Sequence, residues 1–552
     1  AQKTQVLATL HRDRGYASEL IVEYIKANYY IYTIRSAEDP QMWIYENGIY
    51  VPDAKALIGE VVRQFLDQAY SKQIENLVIN KIEVDTYIKP EIFFENNNIW
   101  EICLLNGRLD IKTKRLFPYN PSTIHFQKLP VYYDETAKCP NIIKHLKTVL
   151  KHEDDLPVMQ ELFGFLLLKD YKIEKAFMML GTGRNGKSKT LELIKRFLGP
   201  ENCTNITLQR LEQDRFSIHL LQNKLANLAT EIPKKSLVDT TNFKALCGRD
   251  YISAARKLIN KDINFVNYAK LIFSANDLPK TYDLSKAFFA RWVILEFPYT
   301  FIKKEKYELL DDKEKQNYKI QDKDIIEKIT TKEELSGLLN WALDGLHRLL
   351  EQSDFSNSKN TEEIKEMWLR KSDSLSAFCL DCIEEDYNNK ISKEEFRKYY
   401  SYYCRAHKLA SVTDKVIKNT LEINYGVTEG RLTIENNNQS ERITCWVGIK
   451  LKPECQGCQG SQGFSHFLRK KNSLAISKKH DTFDTLDTNI NLFDLILQEI
   501  RKFDKGSGAD FDKFKASIIK IGFEEKDILR VLSEMEVEGV CFQCRPNFFK
   551  TL

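Results

Sequence analysis

Ala176-Phe-Met-Met-Leu180-Gly181-Thr182-Gly183-Arg184-Asn185-Gly186-Lys187-Ser188-Lys189 decides the fold of the segment around it. The apolar run Ala176 to Leu180 reads as a buried strand, and Gly181 to Ser188 is a complete G-x-x-x-x-G-K-S phosphate loop. Lys189 to Leu198 then has the pattern of a helix, which Gly199-Pro200 stops. The chemistry explains the spacing. Gly181, Gly183 and Gly186 let backbone N–H groups turn inward around phosphate oxygens, Lys187 meets the β- and γ-phosphate charge, and the Ser188 hydroxyl is placed to ligate Mg²⁺. The whole run from Gly181 to Lys189 is therefore expected to hold a nucleoside triphosphate.

The chain has 552 residues, 43% hydrophobic and 29% charged, enough for several domains. No apolar run approaches the roughly 18 residues of a membrane span, and no signal pattern opens the chain, so the expectation is a cytoplasmic protein with no membrane partner. Twelve mostly isolated cysteines fit reduced thiols. A net charge of +4 leaves nucleic-acid contacts to local clusters. Ala1 in place of an initiator Met reads as a chain processed or excised from something longer.

The pattern predicts an α/β multidomain protein. Residues 1–150 mix helices (Ala56 to Ala69, Gln73 to Tyr87) with short aromatic strands (Tyr29 to Ile34, Trp43 to Tyr50, Trp100 to Leu105). Residues 151–360 alternate apolar strands at Phe177 to Leu180, Leu225 to Ala229 and Leu271 to Ala275 with helices, which argues for a mostly parallel sheet. Ser353 to Asn360 reads as a polar linker. Residues 361–452 carry helices at Leu375 to Tyr387, Lys393 to Leu409 and Thr413 to Leu421, then strands at Arg431 to Glu435 and Arg442 to Lys450, a winged-helix pattern. Residues 453–489 hold tandem triplets, Cys455-Gln-Gly and Asp481-Thr-Phe with their neighbours, and read as a flexible linker. Residues 490–552 read as a second, smaller winged helix with a hairpin around Arg545-Pro-Asn547.

The loop alone does not separate a kinase from a motor; the following ninety residues or so do. Leu225-Ala-Asn-Leu-Ala-Thr-Glu231 is a strand ending in an acid, where a nucleotidase keeps the carboxylate that polarises the attacking water or holds Mg²⁺. Leu271-Ile-Phe-Ser-Ala-Asn276 ends in an amide able to sense the γ-phosphate. Phe288-Phe-Ala-Arg291-Trp292 sets an arginine among apolar residues, where it needs a partner such as a phosphate from a neighbouring subunit. The plain readings remain open beside these: a solvated glutamate, a turn asparagine and an intrachain ion pair.

Taken together these motifs resemble the superfamily 3 helicases of the phage, plasmid and poxvirus primase-helicase type. Asn106-Gly-Arg-Leu-Asp110, Pro118-Tyr-Asn-Pro121, Leu162-Phe-Gly-Phe-Leu166, Gly183-Arg-Asn-Gly-Lys-Ser188, Leu246-Cys-Gly-Arg-Asp250, Asn276-Asp-Leu-Pro279 and Arg291 leading to Phe297-Pro298 stand in that family's order, over roughly residues 20 to 450. The resemblance implies an AAA+ motor at 151–360 behind a helicase-associated domain, ATP and Mg²⁺ as cofactors, and a hexameric ring that translocates on single-stranded DNA. It implies catalytic roles for Lys187, Glu231, Asn276 and Arg291, and Mg²⁺ held at Ser188 and Glu231. Two positions depart from the pattern. Thr230 stands where a second acid is common, and Trp292 where a second arginine is common. A plasmid or virus is the expected source, and a primase domain or another replication protein the expected partner.

Asp250 to Val266 reads as two strands joined by a basic turn, and the resemblance makes it the pore hairpin, with Lys257, Lys261 and Arg256 on DNA phosphates. A solvated charged turn is the competing reading. Lys415, Lys418, Arg431 and Arg442 on the first winged helix are expected at duplex DNA. In the second unit Glu524, Glu525, Asp527, Glu534, Glu536 and Glu538 outnumber Lys526 and Arg530, which favours a protein contact. Zinc is not expected at Cys379/Cys382, Cys455/Cys458 or Cys541/Cys544, because no second pair follows at finger spacing. Cys404-Arg-Ala-His407 reads as packing. Two other classes stay open: a nucleotide-gated DNA-binding switch and a small-molecule kinase.

Overall fold

The structure, a computed structural model, describes residues 2–10, 12–35, 40–95, 98–233, 236–256, 259–356, 359–407, 409–436 and 439–452, and toward the C-terminus 496, 500, 509–519, 528, 532, 541–545 and 548–551. Two compact units divide at Phe464 and Ser465. The tandem triplets and the acidic positions expected on a second winged helix lie outside the described residues, as does Lys257. Among the described residues no helix is long and apolar enough to cross a membrane.

A five-stranded parallel sheet carries the phosphate loop. Its strands are β1 (Ala176–Leu180), β2 (Cys203–Thr204), β3 (Ala226–Ala229), β4 (Lys270–Ala275) and β5 (Trp292–Glu296), in the order β5-β1-β4-β3-β2. Every residue of β1, β3 and β4 is buried, as strands covered on both faces require. This is why their sequences are mostly apolar; the buried polar side chains of Asn227 and Lys270 are hydrogen-bonded to backbone. Helix α1 (Lys187–Leu198) leaves the loop and buries Leu191, Ile194, Phe197 and Leu198, until Gly199 at φ 92° ends it. Mixed α/β architecture around a parallel sheet therefore stands as read.

Upstream, helices α2 (Pro140–Val149) and α3 (Asp155–Phe165) precede β1; downstream, β6 (Thr300–Ile302) pairs with β7 (Tyr318–Ile320), and helices α4 (Ile325–Ile329) and α5 (Lys332–Gln352) follow. α3 and α5 cross closely because both carry glycine at the contact. A Cβ on Gly164 would stand 2.4 Å from the Ala342 carbonyl oxygen, and one on Gly345 2.4 Å from that of Gln160. One apolar core runs from Ile102 through Phe177 and Phe273 to Trp368, and a separate one joins Val6, Ile58 and Val78.

Three local expectations are corrected. Trp43 to Tyr50 is not one strand but a hairpin, Gln41–Glu46 and Ile49–Val51, because Asn47 and Gly48 both take positive φ and form a tight turn. The segment after Gln352 is not a free linker: Phe355 is buried against Phe165 and Phe177, and Ser356 donates its backbone N–H to Glu161 at 2.7 Å. The helix expected to Tyr387 stops at Cys382, since Ile383–Ser392 pairs with a later strand and buries Ile383 and Ile391 there.

Residues 361–452 form helices α6 (Thr361–Ser372), α7 (Ser374–Cys382), α8 (Lys393–His407) and α9 (Asp414–Tyr425) with strands β8 (Ile383–Ser392), β9 (Thr428–Asn436) and β10 (Gln439–Leu451) in the order β8-β10-β9. Cys379 is buried in α7 and its thiol is pushed up to about 12 by that burial; His407 lies against the Tyr403 ring, 4.3 Å between centroids. Cys379 and Cys404 are core, whereas His407 is exposed and only its ring face meets Tyr403. In the second unit the antiparallel strands Cys541–Arg545 and Phe548–Thr551 form a hairpin around the expected turn, and Phe511–Ile519 is helical.

Candidate active site

The start of the phosphate loop is pinned by the strands on either side of β1. Gly181 donates its N–H to the Ala275 carbonyl at 3.2 Å, and the Leu180 carbonyl accepts from Phe297 N–H at 2.8 Å. The loop thus springs from the carboxyl end of β1 between β4 and β5, the edge of an open parallel sheet where ligands bind. Gly183, Arg184 and Gly186 have φ of 109°, 48° and 91°, the left-handed turns that direct successive N–H groups toward one centre. Asn185 has a structural part. Its amide donates to the Phe297 carbonyl at 3.0 Å, and any Cβ on Gly181 would overlap that amide.

Lys187 is buried, and its Nζ donates to the Gly181 carbonyl and, at 3.2 Å, to Asn276 Oδ1. Burial pulls the ammonium down to about 8, opposed by the charge of Glu231. Asn276 directly follows β4, and Glu231 stands two residues past β3. Because β1, β4 and β3 are adjacent in the sheet, three strand ends bring loop, amide and acid to one cavity of about 990 Å³. Gly183 to Lys189, Glu231 and Asn276 line it; Gly181 and Thr182 do not.

The donors available suit a hard cation. Ser188 and Glu231 are exposed on the cavity wall and offer oxygen, the ligand type Mg²⁺ takes together with water. Among the described residues no group of three or more His, Cys, Asp or Glu forms a closed metal cage. Phosphate also fits: the Lys187 ammonium meets only neutral oxygens in its hydrogen bonds, and nothing lies within 4 Å of a Cβ built on Gly183.

Sequence motifs did not disclose the opposite wall. Asn141, His145 and Thr148 come from α2, Phe301 and Ile302 from β6, and Gln321 follows β7. Phe301 N–H donates to the Arg184 carbonyl at 2.7 Å, tying β6 to the loop. His145 is pulled down to about 4 by burial and is neutral at physiological pH. None of these residues has a local signature, since each arrives from an element chosen by packing. Asp277 also lines the cavity and was quoted within a motif without a role.

Arg291 is not brought to this cavity. It precedes β5, whose Trp292 is level with Ala176, so it lies at the amino end of the sheet, about 17 Å of strand from Gly181. Its Nη2 pairs with Glu174 Oε2 at 2.9 Å and Nη1 donates to the Ala287 carbonyl at 2.7 Å, while its buried Nε has no hydrogen-bond partner. Trp292 is core, stacked on Phe243 at 4.7 Å, which accounts for the missing second arginine. Tyr251–Arg256 and Ile259–Val266 do form an antiparallel hairpin, with an irregularity between Ala254 and Arg256. Arg256 and Lys261 fall on its two strands.

A model of a family of unknown function, DUF5906, matches residues 179–291. A putative helicase, V13, of the Sputnik virophage is 26% identical over 303 residues, which is 52% of this chain and 36% of that protein. The chain therefore spans little more than a third of that relative's length. Among solved structures, the apo C-terminal region of NrS-1 is similar at 13% identity, covering 78% of this chain and 98% of that one with a TM-score of 0.40. A JCV helicase is similar at 12% identity, covering 73% and 96% with a TM-score of 0.23.

Proposed function

We propose that this chain is an ATP-driven DNA helicase of viral or mobile-element replication, a superfamily 3 motor of the AAA+ type working as a hexameric ring on single-stranded DNA. The observation that carries the reading is the convergence of Lys187, Asn276 and Glu231 from three adjacent strand ends on one cavity behind a phosphate loop. The strand order, with the loop after the first strand and that strand between the fifth and the fourth, supports the motor class. Similarity to the virophage helicase over the half of the chain that it matches supports the source and activity.

In this reading Lys187 trades the Asn276 and Gly181 oxygens for phosphate oxygens, and Asn276 is released to hold the γ-phosphate or its water. Glu231 accepts the proton of the attacking water. Mg²⁺ on Ser188, with Glu231 in reach, would supply charge neutralisation between the phosphates. Arg291, at the far end of the sheet, completes the site of a neighbouring subunit, and Arg256, Lys257 and Lys261 grip the strand. Residues 361–452 and 490–552 act as winged helices, the first on DNA.

Strand displacement on a forked DNA substrate tests the reading. ATP-dependent unwinding that disappears in Lys187→Ala is the expected result. ATP hydrolysis and DNA binding without displacement would favour the nucleotide-gated switch, for which the intrachain Arg291–Glu174 pair would be the resting state of the protein.

A further inference from the structure

A second cavity, of about 280 Å³, opens between α8, α9, β9 and β10 and shares no wall residue with the nucleotide site. Lys393, Arg397, Lys415 and Lys418 line it, against two acids, Asp414 and Glu429. The cations outnumber their local counter-charges. Glu429 Oε1 serves two lysines, Lys393 at 2.6 Å and Lys418 at 3.4 Å, Lys418 also meets Glu422 at 3.7 Å outside the cavity, and Arg397 pairs with Asp414 at 2.5 Å. Lys415 is exposed and stands in no ion pair among the described residues.

Strand register extends this charge beyond the cavity. Glu429 pairs with Trp446, Arg431 with Thr444 and Thr433 with Arg442, without interruption. Opposed residues, and residues two apart on one strand, share a face. Arg431 and Arg442, both exposed, therefore lie on the same face as the cavity wall, displaced from it in steps of about 6.8 Å. Lys393 Nζ covers the Trp446 ring at 4.4 Å from its centroid, and Trp446 is only 3% exposed, so the ring is not offered to a base.

We propose that this cavity is a phosphate site for a nucleic-acid strand, whose backbone is taken by Lys393, Arg397, Lys415 and Lys418 and continues over Arg431 and Arg442. Regularly spaced anions match a row of cations whose aromatic neighbour is covered, and such contacts hold a strand without reading its bases. Glu429 acts as the internal competitor: it occupies Lys393 and Lys418 until a phosphate replaces it. This site rests on, and deepens, the reading of residues 361–452 as a DNA-contacting unit, but it shares no residue with the nucleotide cavity, so it is tested separately from the motor.

The test measures fluorescence anisotropy of labelled single- and double-stranded DNA with the full chain across a salt series. Lys415→Ala is expected to weaken binding and to reduce the slope of log affinity against log salt by about one. Glu429→Gln is expected to tighten binding, an effect that a misfolded variant does not produce. DNA-independent ATPase is expected to be unchanged in both. If both folded variants bind as wild type does, the proposal is overturned, and with it the DNA role of residues 361–452, while the motor reading of the nucleotide cavity stands. If polyglutamate displaces DNA from the wild-type protein as well as unlabelled DNA does, but not from Lys415→Ala, the surface docks acidic protein and the proposal is overturned. A wild-type chain that binds no DNA would remove both readings.

Discussion

Lys187 Nζ and Asn276 Oδ1, 89 residues apart in sequence, share a hydrogen bond of 3.2 Å across the ends of β1 and β4. The ammonium proposed to meet phosphate is thus held by the amide proposed to sense it. In the proposed function, binding of a triphosphate would exchange this bond for two separate contacts and so link loop occupancy directly to the β4 end.

Asn276→Ala is expected to retain ATP binding and to lower turnover by about 10²–10³-fold, the loss typical of a positioned polar group acting in the transition state. Glu231→Gln is expected to bind ATP and lose hydrolysis. Equilibrium binding of a fluorescent ATP analogue beside a phosphate-release assay separates the two steps, and unchanged turnover in either variant removes its assigned role.

Nucleotide affinity is expected to fall above pH 8. In the free protein burial draws Lys187 down to about 8, and only the charged ammonium offsets phosphate charge. Raising the pH through that value neutralises it, so binding must then take a proton from solvent and each further unit costs about tenfold in affinity until the pH passes the pKa of the nucleotide-bound ammonium. Calorimetric titration at pH 7, 8 and 9 in buffers of different ionisation enthalpy checks this. Proton uptake on binding near pH 8 is the expected signature, and a flat profile would contradict it.

Arg291 and Glu174 form a pair only 17% and 50% exposed at the side chains. If Arg291 works on a neighbour, mixing Arg291→Ala with Lys187→Ala protein restores part of the hydrolysis, because some interfaces then join an intact loop to an intact arginine. Glu174→Gln is expected to keep or raise ATPase by freeing the guanidinium. Verified mixed assemblies no more active than the separate variants would leave the arginine with its intrachain role.

Trp368 connects the segment that follows Asn276 to α6. Its indole N–H donates to the Pro279 carbonyl at 2.9 Å, and its ring packs on Trp292 at 5.1 Å and Phe288 at 5.3 Å. Trp368→Ala is expected to cost about 3–5 kcal/mol of stability by leaving a large void. Trp368→Phe retains most of the packing and is expected to lose about 1 kcal/mol with the hydrogen bond. Denaturant melts of the full chain measure both, and a neutral Trp368→Ala would show that α6 does not anchor that segment.

Residues 176–198 were legible in the sequence because their information is local. A charge-free run must be covered on both faces, glycines at fixed offsets permit the left-handed turns at Gly183 and Gly186, and an amphipathic helix follows until Gly199. The strand ends at Ala229 and Ala275, and with them Glu231 and Asn276, were legible for the same reason. Reading failed where a neighbour decides the conformation. Ile383–Ser392 has enough helix-compatible residues to extend α7, and only its pairing with β10 makes it a strand.

By itself, then, the sequence determined the phosphate loop, the strand–loop–helix unit that carries it and the chemical types at the strand ends, since these depend on backbone permissiveness and short-range periodicity. Tertiary structure alone decided which of them meet. The order β5-β1-β4-β3-β2 is set by crossover packing rather than by spacing, and it places Lys187 against Asn276 while leaving Arg291 at the other end of the sheet beside Glu174. The wall from α2 and β6 likewise arises from elements far apart in the chain, and the cation cavity from the successive elements α8, α9, β9 and β10, which meet because their apolar faces must be buried together.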